Sequence, residues 1–436
     1  MKTSLNKNIC ISLSLGSTHT GLIAASYESK YAFNSQNSDA LMLGERELPR
    51  IQILGAARLN NNGAIKKGVV SSIEALTSSI LEAIDEVERQ SGIEIDSVRV
   101  CIAGSAAQFD NHIETCQIKG DEIKAADLER VSAAVRNQKP PMGYEFIHMI
   151  PSSYSVDGKH GIQNPIGMQG SQLSIMHHRV FYPQADLHNI VRSCNNAGIR
   201  VQSFAFEPLA AAEGVLTKDE KEFGCISLSI GAHLTHTCVY LGNIPVYSKE
   251  YPIGSHHITK DLSIGLRTTQ AEAERVKKEL GKAIEFSAKD KNEKIEICSI
   301  DGNHTRYVTR KEINQIIEPR VREILNTIYF DLKRSKLITK TSKGIVLSGG
   351  GALLSGMALA TEEVFSLHAR VGLPVNITGV VEGLKSPIWA SGVGTLSPLF
   401  ASIHGEQNSF QIEETKKIGS FATKIWHKLK EPFASR

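Results

Sequence analysis

One short pattern occurs in both halves of the chain and limits the choice of fold more than any other stretch. Ile9 to Leu15 alternates apolar residues with serine or cysteine, turns at Gly16-Ser17-Thr18 and resumes as Thr20 to Ala25. Gly224 to Ile230 and Thr235 to Leu241 repeat the arrangement around Gly231-Ala232-His233-Leu234. Alternating segments on either side of a glycine turn read as β-hairpins. A turn of Gly, Ser and Thr can wrap a phosphate with backbone N–H groups and hydroxyls, and an ordinary surface turn fits that segment equally well. Two such hairpins, each in an α/β context, predict two related halves facing each other across a cleft.

A third glycine element lies between Gly344 and Met357. Ile345-Val346-Leu347 can fill a buried strand, Gly349-Gly350-Gly351 follows at once, and an apolar stretch of helical character comes next. The pattern predicts strand, tight turn, helix. Glycines there let a ligand approach the backbone, and the helix N-terminus behind them offers unpaired N–H groups to a nucleotide. A glycine turn that binds nothing is the plainer alternative.

The rest of the chain organises around these elements. Gly68 to Gly92 carries helical spacing in Val69, Ile73, Leu76, Ile80, Ile84 and Val87, and Ser97 to Ala103 reads as a strand. Ala125 to Asn137 reads as a helix halted by Pro140-Pro141, Tyr144 to Tyr154 as a strand interrupted by Pro151, and Leu173 to Phe181 as a strand. This small αβ region looks inserted. Thr309 to Leu332 reads as a helix or helix pair, apolar along Ile313, Ile317, Val321, Ile324 and Ile328, with Arg310, Lys311, Arg320 and Arg322 exposed. A groove beside such side chains suits an acidic peptide, and a solvated charged face fits any single arginine as well.

Charge and cysteine usage exclude several classes. Lys plus Arg at 49 against Asp plus Glu at 46 leaves +3, so no global field for nucleic acid is expected. The seven cysteines are scattered without a Cys-x-x-Cys pair and read as reduced core thiols. Met1 to Leu15 has an apolar run too short and too broken by serines for a signal peptide or a spanning helix, which places the protein in the cytoplasm.

After Leu399 the composition changes. Ile403 to Glu414 reads as a linker, and Lys416 to Lys430 as an amphipathic helix. At ~100° per residue, Ile418, Phe421, Ala422, Ile425, Trp426 and Leu429 fall in one arc of about 140°. The lysines, Lys424 and Lys428 among them, lie opposite. Such a helix can lie in an anionic bilayer interface, and docking on the protein's own body is the alternative.

The ordered segments Lys66-Lys67-Gly68-Val69-Val70, Ile102-Ala103-Gly104-Ser105, Asn164-Pro165-Ile166-Gly167-Met168, Glu207-Pro208-Leu209-Ala210, Asp261 to Thr268, Ile317-Glu318-Pro319-Arg320 and Leu373 to Gly379 resemble FtsA, the bacterial cell-division relative of actin. The resemblance implies an α/β, actin-like fold of the duplicated ribonuclease-H type, with an inserted small αβ domain and a C-terminal amphipathic helix. On that map 1–96 opens the first lobe (1A), 97–183 is the inserted domain (1C), 184–222 continues the first lobe, and 223–258 is the second lobe (2A). Residues 259–335 form subdomain 2B, 336–380 continue the second lobe, 381–402 return to the first, 403–415 link, and 416–433 target the membrane.

The resemblance also implies roles. FtsA recruits rather than catalyses: it binds the FtsZ C-terminal tail, here through Arg310, Lys311 and Arg320, tethers FtsZ filaments to the cytoplasmic face of the inner membrane at the septum, self-associates like actin, and engages later division proteins through 97–183. Gly349, Gly350 and Gly351 match the adenosine loop, and Glu274 and Lys277 the helix that contacts ribose and base, so ATP or ADP is the implied cofactor, its phosphates at Gly16, Ser17, Thr18 and Gly231. Departures set the limits. The first hairpin has Ser14 where the family has an aspartate, and the second reads Ser229-Ile230-Gly231-Ala232-His233-Leu234-Thr235-His236 against Asp-Ile-Gly-Gly-Gly-Thr-Thr-Asp. Magnesium wants anionic oxygen ligands, so its binding is in doubt and a pseudo-ATPase is implied. The residues leave two alternatives open: an active ATPase or sugar kinase of the same superfamily, and a pilus-assembly actin homologue.

Overall fold

The computed structural model describes residues 9–27, 50–162, 164–284, 293–300, 304–380 and 382–400. The linker and helix expected over 403–433 lie outside the described residues. Among those described, no helix is long and apolar enough to cross a membrane.

Two sheets are built the same way. In the first, Ile9–Leu15, His19–Tyr27 and Ile51–Asn60 form an antiparallel meander, and Ser97–Ile102 and then Arg200–Phe206 join parallel on the other side of Ile9–Leu15. In the second, Cys225–Ile230, Thr235–Leu241 and Ile244–Tyr251 form the meander, and Ile345–Ser348 and Ala369–Val371 join parallel. The first sheet adds Ile377–Gly379 beside Ile51–Asn60. The predicted duplication is therefore a repeat of strand order as well as of sequence pattern. The inner strands are buried along nearly their whole length, as expected of strands covered on both faces.

Two helices join the sheets. Glu207–Val215 packs on the second sheet and Ala390–Thr395 on the first, and they pack on each other. Their contact is made by backbone: a Cβ on Gly394 would lie 1.7 Å from the Ala210 carbonyl oxygen, and one on Gly214 would lie 2.0 Å from that of Ala390. Only glycine permits so close a crossing.

The long helix runs from Ile73 to Ser91. Ser72 caps it by accepting from Ala75 N, and Gly92 ends it in the left-handed conformation at φ 68°. It begins later than Gly68, because Gly68 (φ 84°) is needed for a turn against Ala103. Arg310–Arg334 is one helix, not a pair, and continues through Pro319. Thr309 and Glu312 close its capping box, and its Ile313, Ile317, Val321 and Ile328 lie in the core of the second half.

The small domain has a four-stranded sheet, Gln108–Gln117, Gln172–Pro183, Tyr144–Val156 and Lys159–Ile162, packed against the helix Ala125–Arg136 through Val131, Val135, Leu173 and Ile175. Ser97–Ile102, the opening of the stretch mapped to this domain, pairs in the large sheet. Pro151 does not interrupt its strand; the register shifts beside it, and a shift of this kind tolerates the missing N–H.

Candidate functional site

A cleft of about 870 Å³ lies between the two sheets. Gly16, Ser17, Thr18, Gly231, Glu274, Lys277, Gly349, Gly350 and Gly351 all line it. The first hairpin turn closes with Gly16 N donating to His19 O at 3.0 Å, and Asn61 Nδ2 braces it by donating to Gly16 O at 2.6 Å. The second closes with Gly231 N donating to Leu234 O at 2.9 Å.

The three consecutive glycines serve different ends. Gly349 has φ 77° and a Cβ there would meet Ile230 O at 2.6 Å, while a Cβ on Gly351 would meet Ile230 Cγ2 at 2.3 Å. These two let the loop lie against the second hairpin. A Cβ on Gly350 would meet nothing within 4 Å, so this glycine alone leaves room. The glycines open a 3-10 turn, Gly350–Leu353, and the α-helix starts only at Met357, after left-handed Gly356. The expected helix N-terminus is thus displaced from the glycine run.

On the opposite wall Glu274 Oε2 accepts from Thr259 Oγ1 and Lys277 Nζ, each at 2.6 Å, and Lys277 also donates to Thr259 Oγ1 at 2.8 Å. Burial pushes the Lys277 ammonium below its ordinary value despite Glu274. The pair is a positioned polar edge of the cleft rather than a solvated helical pair.

Sequence reading missed the buried cluster behind the second hairpin. His236 stands directly across from Ser229 on one neighbouring strand and Glu250 on the other. Its Nε2 lies 3.3 Å from Glu207 Oε2 and its Nδ1 lies 2.8 Å from Glu250 Oε1. Glu250 Oε2 also accepts from Gly104 N at 2.7 Å. Burial would push the imidazole down, but the charge of Glu207 and the contact with Glu250 outweigh it and hold His236 above its ordinary 6.5. Burial raises Glu207 above the usual carboxylate range. The signal was available: opposite charges facing each other across strands stabilise a sheet, and the meander register aligns 236 with 250.

This cluster predicts a pH effect. A folded pKa raised above 6.5 contributes stability that is complete below 6.5 and lost as pH rises through the folded value. Glu207 acts with the same sign from its own lower range. His19, His177 and His178, all pushed down to about 4 by burial, act oppositely, with stability lost as pH falls below 6.5. We expect His236→Gln to flatten the decline of Tm as pH rises above 6.5. Parallel Tm curves for the two proteins would show that the ion pair contributes nothing to this slope.

Arg310, Lys311 and Arg320 stand apart from the cleft on the long second-half helix. They are not uniformly exposed, as the sequence suggested. Arg310 is half-buried against Glu293 at 2.6 Å and Leu280 O, and Arg320 is half-buried between Asp261 and Glu323, each at 2.5 Å. Arg322 is likewise held by Glu318 and Glu363. The acidic neighbours come from other elements or the next turn, where spacing within one stripe does not reveal them. Lys311 is exposed, with no ion pair among the described residues.

Two sheets of one strand order, joined by crossing helices over a cleft with a hairpin turn from each, define an actin-like protein. Solved structures agree on the fold: the PilM-PilN type IV pilus biogenesis complex matches at TM-score 0.59 and 15% identity, covering 90% of this chain and 98% of that one. MreB5 of Spiroplasma citri bound to ADP matches at TM-score 0.50 and 15% identity, covering 89% and 95%. The family model of the cell division protein FtsA matches residues 226–394, and that of the SHS2 domain inserted in FtsA matches 104–181. The chain is 31% identical to Bacillus subtilis cell division protein FtsA, over 94% of this chain and 88% of that one. To the Borreliella burgdorferi protein of the same name it is 32% identical, over 87% and 92%, and to that of Escherichia coli K12 28%, over 88% and 92%. The chain belongs to the FtsA family of cell division proteins.

Proposed function

We propose that this chain is a division scaffold that holds an adenine nucleotide in its cleft with hydrolysis weak or lost, and tethers FtsZ filaments to the cytoplasmic face of the inner membrane at the septum. It self-associates and engages later division proteins through 97–183. The observation that carries the reading is the cleft: Gly350, Glu274 and Lys277 gather on its walls, while Ser14, Ser229 and His236 stand at positions where acids are expected in an actin-like ATPase. The relatives named above support the division role. Membrane contact rests on Ile418, Phe421, Ile425, Trp426, Leu429, Lys424 and Lys428, which lie outside the described residues, and on the physics of an amphipathic helix. The test is flotation of FtsZ filaments with anionic liposomes. FtsZ should rise only when this chain is present, and steady-state phosphate release by the chain should stay at background. Failure of FtsZ to rise overturns the tether, and sustained turnover overturns the pseudo-ATPase.

The FtsZ tail, an acidic peptide on this reading, meets the helix face at Lys311 first, because Arg310 and Arg320 are already engaged. Lys311→Glu should weaken tail binding by about two- to tenfold with no change in fold, the range for one exposed charge reversed. Arg320→Glu would also set a third carboxylate beside Asp261 and Glu323, mixing loss of binding with local repulsion. Fluorescence anisotropy with a labelled tail peptide checks it; an unchanged affinity for Lys311→Glu places the tail elsewhere.

A further inference from the structure

We infer that this cleft takes its nucleotide free of metal, with Arg58 and Lys278 as counter-charges to the phosphates and His236 in place of a metal-holding acid. The inference rests on the nucleotide reading above and concerns the ionic form of the ligand.

The donor set argues first. Among the described residues the cleft walls carry two carboxylates, Glu207 and Glu274. Glu274 is held by Lys277 and Thr259, and Glu207 faces His236 at 3.3 Å and accepts from Ser229 Oγ at 3.4 Å. Ser14 Oγ donates to Gly21 O at 3.4 Å. Among the described residues no group of three or more His, Cys, Asp or Glu side chains is arranged to hold a metal. A magnesium ion needs anionic oxygens free to turn toward it or its waters, so the residues do not fit it. His236 does not substitute as a ligand either, since a carboxylate lies close to each ring nitrogen.

The cations argue second. Arg58, His19 and Lys278 line the same cleft as the first hairpin turn. Arg58 reaches it from the strand Ile51–Asn60 and has no ion pair among the described residues. The cleft wall desolvates it and lowers its pKa below the ordinary guanidinium value. His19, held near 4 by burial and by the charges of Arg58 and Lys278, is a neutral ring that still offers one donor. Lys278 is largely exposed and shares Glu274 with Lys277 at 3.3 Å. Arg58 is exposed to solvent and lines the cleft beside the Gly-Ser-Thr turn, with no carboxylate in ion-pair range among the described residues. A polyphosphate supplies the missing negative charge, and a guanidinium binds phosphate oxygens in bidentate fashion. Magnesium bound to the phosphates would remove about half of the negative charge that Arg58 and Lys278 recognise.

The experiment is calorimetric titration of the full chain with ATP in excess magnesium and in EDTA, and with adenosine. ATP should bind at least as tightly in EDTA as in magnesium. Arg58→Ala should weaken ATP binding in EDTA roughly ten- to a hundredfold, the range for a charge-assisted contact, and leave adenosine affinity unchanged. Lys278→Ala, at an exposed position, should act in the same direction by a smaller factor and serves if Arg58→Ala folds poorly. Binding of ATP that requires magnesium overturns the metal-free inference and leaves the nucleotide reading standing. No binding of ATP or adenosine overturns both. Equal ATP affinity in wild type and both variants overturns the assigned counter-charges.

Discussion

Gly394→Ala should lower Tm by roughly 6–12 °C, the largest stability loss expected from adding one methyl group to this chain. Overpacking costs about 1–3 kcal/mol where side chains can give way, and about 2–4 °C of Tm accompanies each kcal/mol in domains of a few hundred residues. Here nothing soft can move, because the new Cβ would lie 1.7 Å from a backbone oxygen and 2.8 Å from Gly214 N. The helices must separate, and with them the two sheets that each helix covers. Gly350→Ala is the matched control: its Cβ meets nothing within 4 Å, so Tm should stay within the narrow range of an ordinary surface change. Thermal unfolding followed by circular dichroism reads both. A Gly394→Ala protein as stable as wild type would mean that the helices do not cross as closely as described.

Trp426→Glu should reduce binding to anionic vesicles about ten- to a hundredfold. Burying a large apolar side chain is worth roughly 1.5–3 kcal/mol, and tenfold in affinity is about 1.4 kcal/mol. The substitution removes that contribution and sets a charge at the edge of the apolar arc. A short interfacial helix has little in reserve. High salt should weaken the wild type only partly, since screening acts on Lys424, Lys428 and their neighbours and not on the apolar contact. Loss of flotation by the variant with unchanged soluble yield is the expected result. If the variant floats like wild type, or if it unfolds the protein, the segment packs elsewhere and the tether fails.

Local sequence alone determined both hairpins, the strand before the glycine loop and the presence of two long helices, because each depends on spacing and turn chemistry within a few residues; it did not give the start at Ile73, the continuity through Pro319 or the delayed helix start at Met357. Of the residues named for the cleft, Gly16, Ser17, Thr18, Gly349, Gly350 and Gly351 stood out by turn chemistry, whereas Glu274 and Lys277 were named only through the family resemblance; all of them line the cleft. Tertiary structure decided what surrounds them. Glu207, His236 and Glu250 come from a helix start and two strands, and no local pattern states that one imidazole lies between two carboxylates. Arg58 looks like any polar residue of an alternating strand until the fold turns it toward the first hairpin turn. Gly214 and Gly394 read as weak points in two helices, although they make the closest contact in the seam. Hydrophobic periodicity reports which face of an element is buried. Charges and glycines report which other element lies against that face, and this is settled only when the chain has folded.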